Sequence, residues 1–178
     1  MITAIVMLAL MVVGAGLQVL FPALPFLGQA KPPFLLALTL YYALNRSPRT
    51  LLAAGLLAGL FHDLQTAVPL GYSSIVFVAV GLLAGRFRNM VLSESRVTAG
   101  FFGMMGSLFA QVVLYGMLLR IDAVWWPIGR LTVRLLWGAL MAAVVTPLTF
   151  SAARRCDQWV GIIKVREVID GIEQPMGW

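Results

Sequence analysis

Six apolar runs follow one another along this chain, separated by breaks too short for anything but turns and brief connections. They fall at about residues 2–20, 33–45, 48–64, 70–86, 97–119 and 131–152. Runs of this kind, poor in charge and most of them close to the 20 residues that cross 30 Å of hydrocarbon, are read as membrane helices. Composition agrees. The chain is 61% hydrophobic and 11% charged, where a soluble domain is about 45–50% apolar and about 25% charged. The expected fold is an all-α integral membrane bundle of six transmembrane helices over 1–155, followed by a tail over 156–178.

The formal charge of +6 does not point to nucleic acid. The basic residues sit in the breaks between runs, where a membrane protein carries its orientation signals. With the N-terminus cytoplasmic, the inner side holds Arg46, Arg49, Arg86, Arg88, Arg96, Arg154, Arg155, Lys164 and Arg166; the outer side holds Lys31, Arg120, Arg130 and Arg134. Nine against four places N and C termini in the cytoplasm and puts His62 and Asp63 at the outer face. Met1 to Phe21 has no basic residue before its apolar run, and the run is long for a leader, so it reads as the first span rather than a cleaved signal peptide.

The breaks carry their own local signals. Pro22, Pro25, Pro32 and Pro33 make 21–33 a non-helical external segment, since proline lacks the N–H and restricts the residue before it. The run at 33–45 is short for a span, which implies either a thin local bilayer or part of 24–31 at the interface. Ser47 and Pro48 suit a helix start, and Trp125 and Trp126 suit a membrane–water boundary. In the tail, Ile162, Val165, Val168, Ile169 and Ile172 share one helical face. That is a short amphipathic C-terminal helix lying on the membrane or on a partner; a strand over 164–170 is the alternative.

Gly55-Leu56-Leu57-Ala58-Gly59-Leu60-Phe61-His62-Asp63, with the turn Val68-Pro69-Leu70-Gly71, is the stretch around which the other helices are expected to pack. Glycines four apart clear a helix face for close approach in lipid, and Gly81 and Gly85 repeat the spacing. Asp63 and Arg134 must both avoid lipid at similar depth. They pair or share a hydrated outer cleft with Gln111, or each snorkels separately to the interface. His62 is a general base or ligand, or an interfacial histidine satisfied by water. It points about 100° away from Asp63, so neighbouring positions alone make no dyad. Gln111 is an interhelical hydrogen bond or a substrate contact. The basic loop 86–96 serves orientation or docks a cytoplasmic protein.

Cys156 is the single cysteine, which excludes an internal disulfide. One histidine builds no metal site by itself, and no nucleophile–base pair or phosphate-cradling loop is present. No catalytic residue, metal or cofactor is expected, and the chain reads as a non-enzyme.

Pro33-Phe34-Leu35-Leu36-Ala37-Leu38-Thr39-Leu40-Tyr41-Tyr42-Ala43-Leu44-Asn45-Arg46-Ser47-Pro48 resembles the second span of the bacterial rod shape-determining protein MreD family. The Gly55–Asp63 stretch with Pro69-Leu70-Gly71 resembles that family's Gly-Leu-x-x-Gly-x-x-x-Asp segment and following turn. Arg86-Phe87-Arg88 and the late Pro147 also fit. The layout matches over about 1–155, and the specific motifs lie within about 33–90. The resemblance implies a non-enzymatic subunit of the cell-elongation complex (rod shape, peptidoglycan synthesis) in the bacterial cytoplasmic (inner) membrane. Its partners would be an MreC-like bitopic scaffold, the MreB filament inside and the peptidoglycan synthases outside. It implies docking or structural roles for Gly55, Gly59, Asp63, Pro69 and Gly71, with Arg134 added by its depth.

A second class shares the layout: the substrate-binding subunits of energy-coupling-factor vitamin transporters. Those generally carry an Ala-x-x-x-Ala pair in the first helix. Here Ala4, Ala9 and Ala15 are five and six apart, and the outer half offers few polar side chains beyond Asp63, His62, Gln111, Gln18 and Gln65.

Overall fold

The computed structural model describes residues 2–21, 30–66, 68–87, 96–121 and 127–160. Among them the regular elements are all α-helices: α1 (Ile2–Leu20), α2 (Phe34–Asn45), α3 (Pro48–Leu64), α4 (Tyr72–Arg86), α5 (Arg96–Arg120) and α6 (Ile128–Trp159). Three of these, α1, α5 and α6, are long and apolar enough to cross a membrane, and α2 and α4 are shorter apolar helices. The amphipathic segment in the tail, the paired tryptophans, most of the basic loop and residues 22–29 lie outside the described residues. The last helix runs 32 residues and takes in positions 156–159, beyond the apolar run that ends near 152. Helix formation needs no apolar side chains once the ladder is established, so the helix continues through Arg154, Arg155, Asp157 and Gln158.

The bundle is organised around α2 rather than α3. Residues Leu35 through Leu44 of α2 are all buried, and α2 packs against each of the other five helices. A helix that is apolar all round is a buried one. This explains why its run is short: at 1.5 Å per residue α2 is only about 18 Å long, and neighbouring protein rather than lipid surrounds it.

Beside its apolar core the bundle buries several polar side chains and exposes long apolar stripes. Gln18, Thr39, Asp63, Ser73, Ser74, Ser107, Thr146 and Asp157 are buried. Leu136, Leu140, Val144 and Leu148, four apart on α6, are each more than half exposed. Leu52, Leu56, Leu60 and Leu64 form a similar outward stripe on α3. An apolar surface this extensive marks a membrane-facing protein. Lipid is as apolar as leucine, so close backbone packing and interhelical hydrogen bonds hold such helices together.

Two contacts show that packing. Gly55 and Gly59 of α3 face Val78 and Ser74 of α4, so both partners repeat at four residues. A Cβ on Gly55 would lie 3.1 Å from the Val78 Cα, and one on Gly59 would collide with the Ser74 backbone. Between α5 and α6, Gly100 meets the Ala143 carbonyl and Gly103 meets Thr146. Pro147 has no N–H with which to bond the carbonyl four residues earlier, Ala143. Gly100 lets α5 approach that carbonyl closely: a Cβ there would lie 2.9 Å from the Ala143 oxygen.

Candidate functional site

Each end of α3 carries a polar cluster, and the two are built differently. At the His62 end, α3 stops and the chain turns through Pro69 and Gly71 into α4. Gly71 has φ +98°, a conformation that favours glycine, and it stands at the N-cap position of α4. The first N–H groups of α4 lack partners within their own helix. Asp63 supplies them from the helix before: its carboxylate accepts from Gly71 N at 2.7 Å and from Ser73 N at 3.2 Å. A carboxylate there is also favoured by the positive end of the α4 dipole.

His62 reaches the same turn of α4, its Nδ1 sharing a 2.9 Å hydrogen bond with the Ser73 hydroxyl. Its ring lies 5.5 Å from that of Phe77. The Ser74 hydroxyl donates to the Leu56 carbonyl at 3.0 Å, and the Thr66 hydroxyl donates to the His62 carbonyl at 2.9 Å. These bonds, together with the glycine contact beneath them, make a clasp that fixes α4 to α3. His62 and Asp63 therefore form no dyad; both serve Ser73, one through its hydroxyl and one through its amide.

At the other end, Arg46, the C-cap of α2, donates to Asp157 of α6 at 2.6 Å, and the Tyr41 hydroxyl donates to the same carboxylate oxygen at 2.8 Å. Asp157 is fully buried. The Tyr41 ring meets Phe150 edge to face at 5.5 Å, and the Asn45 amide donates to the Tyr41 carbonyl. This pair joins the centre of the bundle to its last helix. Sequence reasoning missed it because the hydropathy profile ends the sixth run before Asp157 and assigns that residue to the tail. The legible signal was a single acid on α6 at the same end as Arg46.

Beside the clasp lies a cavity of about 450 Å³, lined by side chains that include Gln18, Lys31, His62, Gln65, Gln111 and Arg134. A space of this size is within the range of small-molecule sites. Gln111 donates to the Ser107 hydroxyl at 3.0 Å, and Ser107 donates across to the Gly138 carbonyl of α6. Gln65 donates to the Ala15 carbonyl of α1 at 3.1 Å.

The expected residues thus separate into two groups. Gly55, Gly59, Asp63, Pro69 and Gly71 come together in the clasp, where the two helical glycines are covered by α4 and offer no surface to another protein. Arg134 and Gln111 belong to the cavity. Asp63 makes no ion pair with Arg134: its carboxylate accepts from the amides of Gly71 and Ser73, and the ion pair among the described residues is Arg46–Asp157. His62 is satisfied by Ser73 rather than by water alone. Gln111 is both an interhelical link, through Ser107, and a cavity wall. Scans against family models, curated proteins and solved structures return no match to this chain.

Proposed function

We propose that this chain is a multi-pass subunit of the bacterial cytoplasmic membrane, with all six helices crossing and both termini inside. It works without chemistry of its own, as a docking body of the cell-elongation machinery similar to MreD. It holds an MreC-like bitopic scaffold and links it to an MreB filament and to peptidoglycan synthases.

The observation that carries this reading is a lateral apolar cleft between α4 and α5, of about 460 Å³, lined by residues that include Leu83, Phe87, Phe102, Met105, Phe109 and Val112. Leu83, Phe87, Met105, Phe109 and Val112 are exposed on the flank of the bundle. A single membrane helix lays its side chains into a groove of this kind. Further support comes from the stretch that carries the resemblance, about 33–90, whose first part forms the central helix and the clasp and so provides a rigid body to grip. The uneven distribution of basic residues favours the orientation with the His62 end outside.

Photocrosslinkers placed at Phe102, Met105 and Phe109 in native membranes test the reading. Crosslinks to a bitopic cell-wall scaffold support it, and crosslinks only to an ATPase-linked membrane subunit overturn it. The cavity beside His62 is the observation that favours the second reading, a vitamin-binding subunit of an energy-coupling-factor transporter. A thermal-shift screen of the purified chain against vitamins separates the two, because a ligand at 100 times its Kd stabilises by about 2.7 kcal/mol.

A further inference from the structure

The cavity at the His62 end contains a side chain that the packing of the bundle does not require. The inward stripe of α1 runs Met7, Met11, Ala15, Gln18, three apolar residues and then an amide. Gln18 is 4% exposed and lines the cavity. Its carboxamide oxygen has no hydrogen-bond partner among the described residues. A leucine would continue the stripe without leaving a buried acceptor unmade.

The other polar groups around the same space divide into two kinds. Gln65 and Gln111 commit their amide N–H groups to Ala15 and Ser107, which leaves their carboxamide oxygens to accept. Lys31 and Arg134 bring positive charge, and a guanidinium has donors enough for more than one acceptor. The described lining residues include no aspartate or glutamate. A bare anion would use the cationic donors and leave Gln18 unsatisfied; a neutral polyol would use the amide and neither of the cations that line the same space. One molecule carrying both an anion and hydroxyl donors answers both. In a membrane-embedded chain the abundant anion at the depth of a helix end is phosphate, which arginine and lysine both bind well.

We infer that this cavity binds the glycerol phosphate group, its phosphate held by Arg134 and Lys31 and its hydroxyls donating to Gln18. The source is the headgroup of phosphatidylglycerol or free glycerol phosphate. The inference goes beyond the docking role and does not depend on it, since the scaffold cleft lies between α4 and α5 and involves none of these three residues.

The test titrates the purified full chain, in a neutral detergent, with short-chain phosphatidylglycerol, with phosphatidylcholine of the same chains and with glycerol 3-phosphate, reading the unfolding temperature. Phosphatidylglycerol or glycerol 3-phosphate should raise it, while phosphatidylcholine at equal concentration should not. A shift with glycerol 3-phosphate identifies a soluble ligand, and a shift with phosphatidylglycerol alone identifies the lipid. Arg134→Gln should weaken the response roughly ten- to a hundredfold, the scale of a charge-assisted hydrogen bond. Gln18→Leu, which suits the apolar stripe and preserves the fold, should remove the response while raising the unfolding temperature of the free protein. Equal shifts with phosphatidylglycerol and phosphatidylcholine, no shift with either phosphate, or an undiminished shift in Gln18→Leu would each overturn the inference.

Discussion

The two ends of α3 solve the same problem in opposite ways. Near Arg46, a buried acid is met by the guanidinium that caps the central helix and by a phenol of that helix, whose ring packs edge to face on Phe150. Near His62, the buried acid Asp63 makes no ion pair among the described residues and is given to backbone amides. The cations and amides at that end are left around a space instead. Charge is used to shut one end; at the other, backbone capping does the structural work and charged side chains line a space.

The harshest way to break this comparison is Gly59→Leu. The clasp rests on backbone contact between α3 and α4, and a side chain at 59 must push the Ser74 backbone aside. Backbone yields poorly, so the loss exceeds the roughly 1–3 kcal/mol of ordinary overpacking. The expected outcome is loss of folded protein in membranes, measured as monodisperse yield after extraction. Normal yield would mean that α3 and α4 are not packed at the glycine face.

Asp157→Asn opens the other end. Breaking a buried pair by removing one partner costs about 3–5 kcal/mol. The low end applies here, because the Arg46 side chain keeps 18% exposure and can turn toward water. Unfolding in mixed micelles should show a loss of about 3 kcal/mol, with Arg46→Gln giving a loss of the same sign. A neutral result for both would show that the end is held by the aromatic contacts alone.

Why one of these ends was legible and the other was not follows from what each uses. Glycines four apart are visible in a sequence, and so Gly55 and Gly59 announce a close face; that the face is covered from within, by Ser74 and Val78, is not visible. An acid invites a search for a cation, and Arg134 lies at a matching depth. The true partners of Asp63 are the N–H groups of a turn, which every residue but proline has and none advertises. Asp157 was hidden by the assumption that a helix ends where its apolar run ends. The centrality of α2 was hidden for a related reason: a short apolar run looks like a weak span, yet an all-apolar surface without an outward stripe is what the middle of a bundle needs. The cavity was only partly legible. Gln18, His62, Gln65 and Gln111 stood out as the polar residues of that half, but nothing in their spacing says that they border one space.

Asp63→Asn sharpens the contrast at intermediate size. The carboxylate uses both oxygens on amides of α4, whereas a carboxamide turns an N–H toward one of them. With one bond lost and the charge removed from the helix start, a cost of about 2 kcal/mol is expected. Because the clasp needs no cation, this variant should leave the phosphate response of the cavity intact once folded. Loss of both together would mean that the clasp and the cavity are a single unit.

Gln18→Leu is the smallest effect and the only one of opposite sign, and it decides whether the two ends differ in kind. An unpartnered buried amide costs on the order of 1–3 kcal/mol. A leucine at 18 removes that cost and continues the apolar face of Met7, Met11 and Ala15. Part of the gain is offset by imperfect fit, so a net stabilisation of about 1 kcal/mol is expected in ligand-free protein, read as a higher midpoint in mixed-micelle unfolding. The corresponding change at the closed end, Asp157→Leu, should destabilise, because it removes the acceptor of the Tyr41 hydroxyl and the acid paired with Arg46. A polar residue whose removal strengthens the fold is retained for something other than the fold. Two losses of equal size would instead make Gln18 as structural as Asp157, and the ends would then be two versions of one device.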